Sequence, residues 1–198
     1  MSERKYRVNE IFYSVQAEGR NAGRAAVFVR FSGCNLSCPF CDTNHEPFRE
    51  MTGLEIEREV GRLTASVEGP WPMVVFTGGE PTLQLAEDDE LCAGMFRAVE
   101  TNGLLPVPRW IDWTTISPKT RLPAEALLRA SELKFVLGSM PEDYMAFAEK
   151  LTRGRAFLYV QPMADERGRF DPAPALDFIK RRPAFRLSLQ FHKLFNIP

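Results

Sequence analysis

Ala26-Val27-Phe28-Val29-Arg30-Phe31 is a run of apolar and β-branched residues interrupted by a single charge. A strand that is apolar at consecutive positions needs cover on both faces, which parallel sheets receive from crossover helices. A second run of this kind, Met73-Val74-Val75-Phe76-Thr77, stops at Gly78-Gly79. Between them, Thr52-Gly53-Leu54-Glu55 has capping-box spacing, and Ile56, Val60 and Leu63 recur on one helical face. Further strands are expected at 98–101, 110–116, 133–137, 157–161 and 187–190, with helices over much of 83–98, 123–130, 141–152 and 173–181. Leu104–Arg109 holds two prolines and is too short for a full helix, so one crossover is degenerate. Strand–helix alternation of this kind predicts an α/β fold with six to seven mainly parallel strands. That is too few for a closed eight-stranded barrel, so an open, partial β/α barrel in one domain spanning 1–198 is expected.

In parallel α/β folds, chemistry gathers in the loops beyond the C-terminal ends of the strands. The first such loop carries Cys34, Cys38 and Cys41 in a C-x3-C-x2-C arrangement. The N-terminus lacks the apolar region of a signal peptide, and no apolar run nears the ~18 residues that span a bilayer. A cytoplasmic protein with reduced thiols is therefore expected, and no membrane partner. Clustered thiols in that setting point to metal ligation rather than disulfides. Three thiolates on one loop can hold three corners of a cubane iron–sulfur cluster and leave the fourth iron open to a small molecule. His45 could instead complete a zinc site, so a non-catalytic iron–sulfur or zinc module stands as an alternative. Cys92, apart from the others, is expected as a small buried thiol on a helix. With 25 basic and 26 acidic residues the net charge is −1, which lacks the basic excess of a nucleic-acid binder.

The second strand leads into Gly78-Gly79-Glu80-Pro81. Adjacent glycines let backbone groups approach a ligand closely, and proline stiffens the exit. Glu80 would sit just before the helix expected over 83–98, where the helix dipole favours negative charge. Taken with the cysteine triad and with Phe40 just before its third member, this motif resembles the radical S-adenosylmethionine (SAM) superfamily. The resemblance implies a [4Fe–4S] cluster on Cys34, Cys38 and Cys41. It implies SAM bound by Phe40, Cys41, Asp42, Gly78, Gly79 and Glu80, and its reductive cleavage to a hydrogen-abstracting 5′-deoxyadenosyl radical.

Further segments are similar to one family, the 7-carboxy-7-deazaguanine synthases. They run from Glu10–Gly19 and Phe28–Leu36 through Cys41-Asp42-Thr43, Glu100–Gly103, Ser117-Pro118-Lys119, Glu132–Val136 and Gln161-Pro162-Met163 to Arg186–Lys193. This resemblance implies conversion of 6-carboxy-5,6,7,8-tetrahydropterin to 7-carboxy-7-deazaguanine and ammonia, a lyase-type step toward deazapurines such as queuosine. It also implies a homodimer, a flavodoxin- or ferredoxin-like electron donor, regenerated SAM and a Mg2+ ion on Thr43, a residue that could equally cap a turn. Ser117, Pro118, Lys119 and Gln161 resemble further SAM-contacting positions, with a helix start the other reading of Ser117. The substrate would meet Val15, Gln16, Ala17 and Glu18 from a segment 1–25 that lines the site, unless these form a plain loop. Ala17 stands where the family has glycine.

Arg30 suits a substrate carboxylate or an internal salt bridge, and Glu100 suits a guanidine-like pterin edge or a buried arginine. Thr77 could reach substrate from a strand end, and His192, with Gln190, would alternate on a terminal strand facing the pocket or serve structurally. The segment 185–198 would close the site and bring in the carboxylate of Pro198. The rival enzyme class is a radical SAM activating enzyme for a glycyl-radical protein, which needs a protein partner in place of a pterin.

Overall fold

The computed structural model describes residues 4–41, 43–44, 46–165 and 169–197. Asp42, His45 and Pro198, all named above, lie outside the described residues.

Two strands fall outside those expected. Lys5–Val15 (β1) pairs antiparallel with Ala25–Phe31 (β2) on one side and with Arg49–Thr52 (β3) on the other. In β1, Tyr6 and Val8 are buried while Lys5, Arg7 and Asn9 are not. Such half-buried alternation is the mark of an antiparallel strand, and it carries none of the continuous apolar signal of β2. Helix Gly53–Leu63 (α1) starts where the capping box places it: the Thr52 hydroxyl accepts from Glu55 N, and Glu55 Oε2 accepts from Thr52 N at 2.7 Å.

Parallel strands then follow at Met73–Gly78 (β4), Arg97–Thr101 (β5) and Trp113–Ile116 (β6). Ala124–Leu128 (α2), Glu132–Val136 (β7), Glu142–Leu151 (α3), Phe157–Gln161 (β8), Ala173–Arg181 (α4), Phe185–Leu187 (β9) and Phe191–Phe195 (α5) complete the order. The sheet runs β3-β1-β2-β4-β5-β6-β7-β8-β9, with every pair from β2 to β9 parallel and its two edges unjoined. The open partial barrel is therefore present, with nine strands among the described residues rather than six to seven.

The expected helix over 83–98 is absent. A 3-10 turn, Pro81–Leu83, is followed by turns in which Glu90, Cys92 and Gly94 take positive φ, a conformation that ends right-handed helix. The acidic run supplies turn chemistry as well, since Asp89 Oδ2 accepts from Ala86 N at 2.5 Å. Cys92 is buried in the outer core, but on a turn instead of a helix. Two crossovers, β4 to β5 and β5 to β6, consequently lack an α-helix. The strand at 110–116 shortens to β6. The terminal strand expected at 187–190 ends at Leu187, and Gln190 precedes α5, which carries His192.

The sheet separates two environments. Its outer face packs β1, β2 and β4 on α1 through Val27, Val29, Phe76 and Ile56, and β7 and β8 on α3 and α4 through Phe135, Tyr144 and Phe178. Strand register places Arg30 beside Thr77, Glu100 beside Thr115, Thr115 beside Glu132, and Lys134 beside Tyr159, all on the inner face. Phe28, Met73, Val75 and Ala98 fill the N-terminal end of that inner face, with Phe12 stacked on Phe28 at 5.0 Å. Polar side chains are left facing one another toward the C-terminal ends.

Candidate active site

A cavity of about 1230 Å³ opens there, beyond the C-terminal ends of the parallel strands. Cys34, Cys38 and Cys41 all line it, on the segment between β2 and β3. The loop is held locally: Cys41 N donates to Cys38 O at 3.1 Å, and Leu36 N to Cys34 Sγ at 3.4 Å. Burial pushes the Cys34 thiol up, Leu36 N–H opposes this, and Glu80, Cys38 and Cys41 add to it. Among the described residues no three His, Cys, Asp or Glu side chains gather around one point as ligands of a single ion. The three thiols instead border a shared open space. That arrangement fits a cluster in which each thiolate takes its own iron.

Gly78 and Gly79 line the same cavity. A side chain at either would collide with the cysteine loop's base: a Cβ on Gly78, at φ +134°, would lie 2.1 Å from Phe31 O, and one on Gly79 2.0 Å from Gly33 O. Gly79 N donates to Phe31 O at 3.1 Å and Glu80 N to Gly33 O at 2.9 Å, fastening the turn to the residue before Cys34. The glycines thus bring the turn against the cluster loop and leave a backbone wall for a ligand.

Glu80 and Pro118 do not line the cavity. The Glu80 residue is 0% exposed. Its Oε1 accepts from Thr82 N at 3.0 Å, Thr82 Oγ1 at 2.6 Å and Thr101 Oγ1 at 2.7 Å, and its Oε2 from Asn102 N at 2.8 Å. Asn102 Nδ2 in turn donates to Asn35 Oδ1, inside the cysteine loop, at 2.8 Å. Glu80 is a buried bracket tying the end of β4 to the end of β5, and it caps a single 3-10 turn in place of the helix expected over 83–98.

On the wall from β6, Lys119 Nζ donates to Ser117 Oγ at 3.0 Å and lies 5.2 Å from the Phe40 ring centroid. Phe40, Ser117, Lys119 and Gln161 border the cavity, as does Thr43, whose carbonyl accepts from the Cys41 thiol at 3.7 Å.

Residues 28–139 match the Radical SAM superfamily, a stretch that holds both the cysteine loop and the Gly78-Gly79 turn. The 7-carboxy-7-deazaguanine synthase of Burkholderia multivorans is 40% identical over 213 aligned residues, covering 98% of this chain and 99% of that protein. The synthase of the same name from Bacteroides thetaiotaomicron is 42% identical, covering 96% and 98%. The chain belongs to the 7-carboxy-7-deazaguanine synthase family. The fold agrees: the crystal structure of QueE from Escherichia coli superposes with a TM-score of 0.71 at 24% identity, covering 94% of both chains.

In this member of the synthase family, a further part of the cavity wall comes from the end of β1, the inner faces of β2, β4, β5 and β7, and α5. Val15, Gln16, Ala17, Glu18, Arg30, Thr77, Glu100 and His192 all border the cavity. Glu100 accepts from two neutral donors, Gln16 Nε2 and Thr77 Oγ1, each at 3.0 Å. Arg30 Nε donates to Glu10 Oε1 at 2.7 Å, which is the internal salt bridge, although Arg30 still reaches the cavity. Ser188 Oγ accepts from Gly19 N at 3.2 Å and donates to Gln161 Oε1 at 3.1 Å, linking the loop after β1 to β8.

Residues outside the sequence expectation also reach the cavity, among them Lys134, Asn102, Asp165 and Arg169. Lys134 was within sight of pattern analysis: a lysine between Leu133 and Phe135 on a strand buried throughout is a charge that needs a partner.

Proposed function

We propose that this chain is a radical SAM 7-carboxy-7-deazaguanine synthase, converting 6-carboxy-5,6,7,8-tetrahydropterin to 7-carboxy-7-deazaguanine and ammonia. One observation carries the reading: a single cavity is bordered both by the three thiols and the Gly78-Gly79 turn and by the Glu100 carboxylate with Gln16 and Thr77. Cys34, Cys38 and Cys41 would hold a [4Fe–4S] cluster, and the backbone of Gly78-Gly79, with Phe40, Ser117, Lys119 and Gln161, would seat SAM. Bound there, these cofactors supply reductive SAM cleavage and hydrogen abstraction. Every other task falls to the chain. Glu100, steadied by two donors, accepts from the amino and ring N–H groups of a pterin. Arg30 offers its remaining N–H groups to the substrate carboxylate, and Glu18 and His192 close the polar wall.

The Thr43 hydroxyl is the proposed protein ligand to Mg2+, a hard ion that keeps water and substrate oxygens around it. Pro198 is proposed to contribute its carboxylate from beyond the described residues. We further propose one domain over the whole chain, a homodimer in the cytoplasm and a flavodoxin- or ferredoxin-like reductant.

Equilibrium binding tests the substrate assignment. Anaerobically reconstituted protein with SAM should bind the tetrahydropterin saturably, and Glu100→Ala should weaken it at least tenfold, the equivalent of about 1.4 kcal/mol. Absence of binding by the unaltered protein would remove the pterin from the account.

A further inference from the structure

We propose that Lys134 is a positioning residue of the substrate wall, fixing the Glu18 carboxylate as an acceptor for the N–H groups of the bound ligand. The inference rests on the pterin reading above.

Lys134 projects from β7 onto the inner face, and its ammonium donates to Glu18 Oε2. The two side chains are only 9% and 12% exposed, yet both border the cavity. Two other carboxylates stand near that ammonium, Glu132 on β7 and Glu100 on β5. Each is committed elsewhere. Glu132 accepts from Arg20 N at 2.8 Å and from Thr115 Oγ1 at 3.0 Å, while Glu100 is held by Gln16 and Thr77. Glu18 is thus the carboxylate that Lys134 serves directly.

The backbone around Glu18 is equally fixed: Glu18 N donates to Gln16 Oε1 at 3.0 Å, and the next residue, Gly19, donates to Ser188 Oγ. A carboxylate has about four acceptor sites, so the contacts from Lys134 and Gln190 leave capacity for a ligand.

A buried ion pair is a weak source of stability, because desolvation offsets most of the attraction. Its location on a cavity wall gives it another use. Burial alone would raise the Glu18 carboxyl, but the Lys134 ammonium, with smaller contributions from His192 and Gln190 on the α5 side, holds it below the usual carboxylate range. Burial would also lower Lys134, yet Glu18, Glu100 and Glu132 together push it above the usual lysine range. Both groups therefore stay charged through neutrality. With a neutral side chain at 134, burial is left to act on Glu18 against only the smaller contributions of His192 and Gln190. The carboxyl then rises toward neutrality and loses its acceptor form as pH falls.

The test is anaerobic equilibrium binding of 6-carboxy-5,6,7,8-tetrahydropterin to reconstituted protein with SAM, from pH 6 to pH 8. The unaltered protein is compared with Lys134→Gln and Lys134→Arg. Titration of the ligand itself is common to all three, so the ratio of variant to unaltered affinity reports the change made at position 134. For Lys134→Gln that ratio should fall as pH falls, approaching about tenfold per pH unit below the shifted carboxyl pKa. Lys134→Arg keeps the cation and should show a flat ratio, and it carries the test alone if the glutamine variant does not fold. A flat ratio for Lys134→Gln, or a sloping one for Lys134→Arg, overturns the proposal while leaving the pterin assignment intact. Failure of the unaltered protein to bind overturns both.

Discussion

Replacing Glu80 with alanine should destabilise the protein severely and loosen its cysteine loop. The Glu80 carboxylate, 0% exposed, accepts two backbone N–H groups, from Thr82 and Asn102, and two hydroxyls, from Thr82 and Thr101. The hydroxyls can rotate toward other acceptors, but the two amides cannot. A buried donor left without a partner costs about 1–3 kcal/mol, so two such donors and the cavity together set a loss of about 3–5 kcal/mol. That is a large part of the 5–15 kcal/mol typical of a whole domain. Urea unfolding of the apoprotein, followed by circular dichroism under reducing conditions, measures it directly as a lower midpoint at unchanged slope. Asn35→Ala cuts only the last link of the bracket and should cost about 1 kcal/mol. A loss below about 1 kcal/mol for Glu80→Ala would refute the bracket and return Glu80 to the ligand side of the turn.

Three other outcomes follow from the same geometry. Gly79→Ala puts a Cβ 2.0 Å from Gly33 O, so the turn must part from the cysteine loop; SAM affinity by equilibrium dialysis should fall at least tenfold, or about 1.4 kcal/mol, and an unchanged affinity contradicts this. Cys38→Ala should fail to retain the roughly four irons of a cubane after anaerobic reconstitution, and full retention measured by iron and sulfide analysis would argue against the triad. Thr52→Ala removes the α1 cap and should cost about 1 kcal/mol in urea unfolding. Donation from Thr52 N–H and hydroxyl holds the Glu55 carboxyl below its usual range, so the capping box acts fully at neutral pH and weakens as pH falls through that lowered value.

The parallel part of the sheet was legible because strands covered on both faces write themselves as unbroken apolar runs, as Val27–Val29 and Val74–Phe76 do. β1 was not, since its alternation of Tyr6 and Val8 with charged neighbours resembles an ordinary exposed segment. The absent helix over 83–98 shows the opposite error. Leu91 and Met95, four residues apart, have helical spacing, but left-handed Glu90, Cys92 and Gly94 break the chain into turns that bury Leu85 and Leu91. Within the site, the cysteine loop and the Gly78-Gly79 turn were placed in sequence after the first two apolar strands, and they border one cavity. Glu80 sits inside such a motif, and nothing in its spacing distinguishes a ligand contact from a buried bracket. Lys134 was missed for a related reason: its partner Glu18 lies far away in sequence, and only the packing of the segment after β1 against β7 brings them together.

The central claim is most directly tested by turnover. Anaerobically reconstituted protein is incubated with dithionite, SAM, Mg2+ and 6-carboxy-5,6,7,8-tetrahydropterin, and the products are resolved by mass. The account predicts 7-carboxy-7-deazaguanine in excess of the SAM consumed. SAM cleavage on an intact cluster without that product would contradict the assignment of this cavity to the pterin.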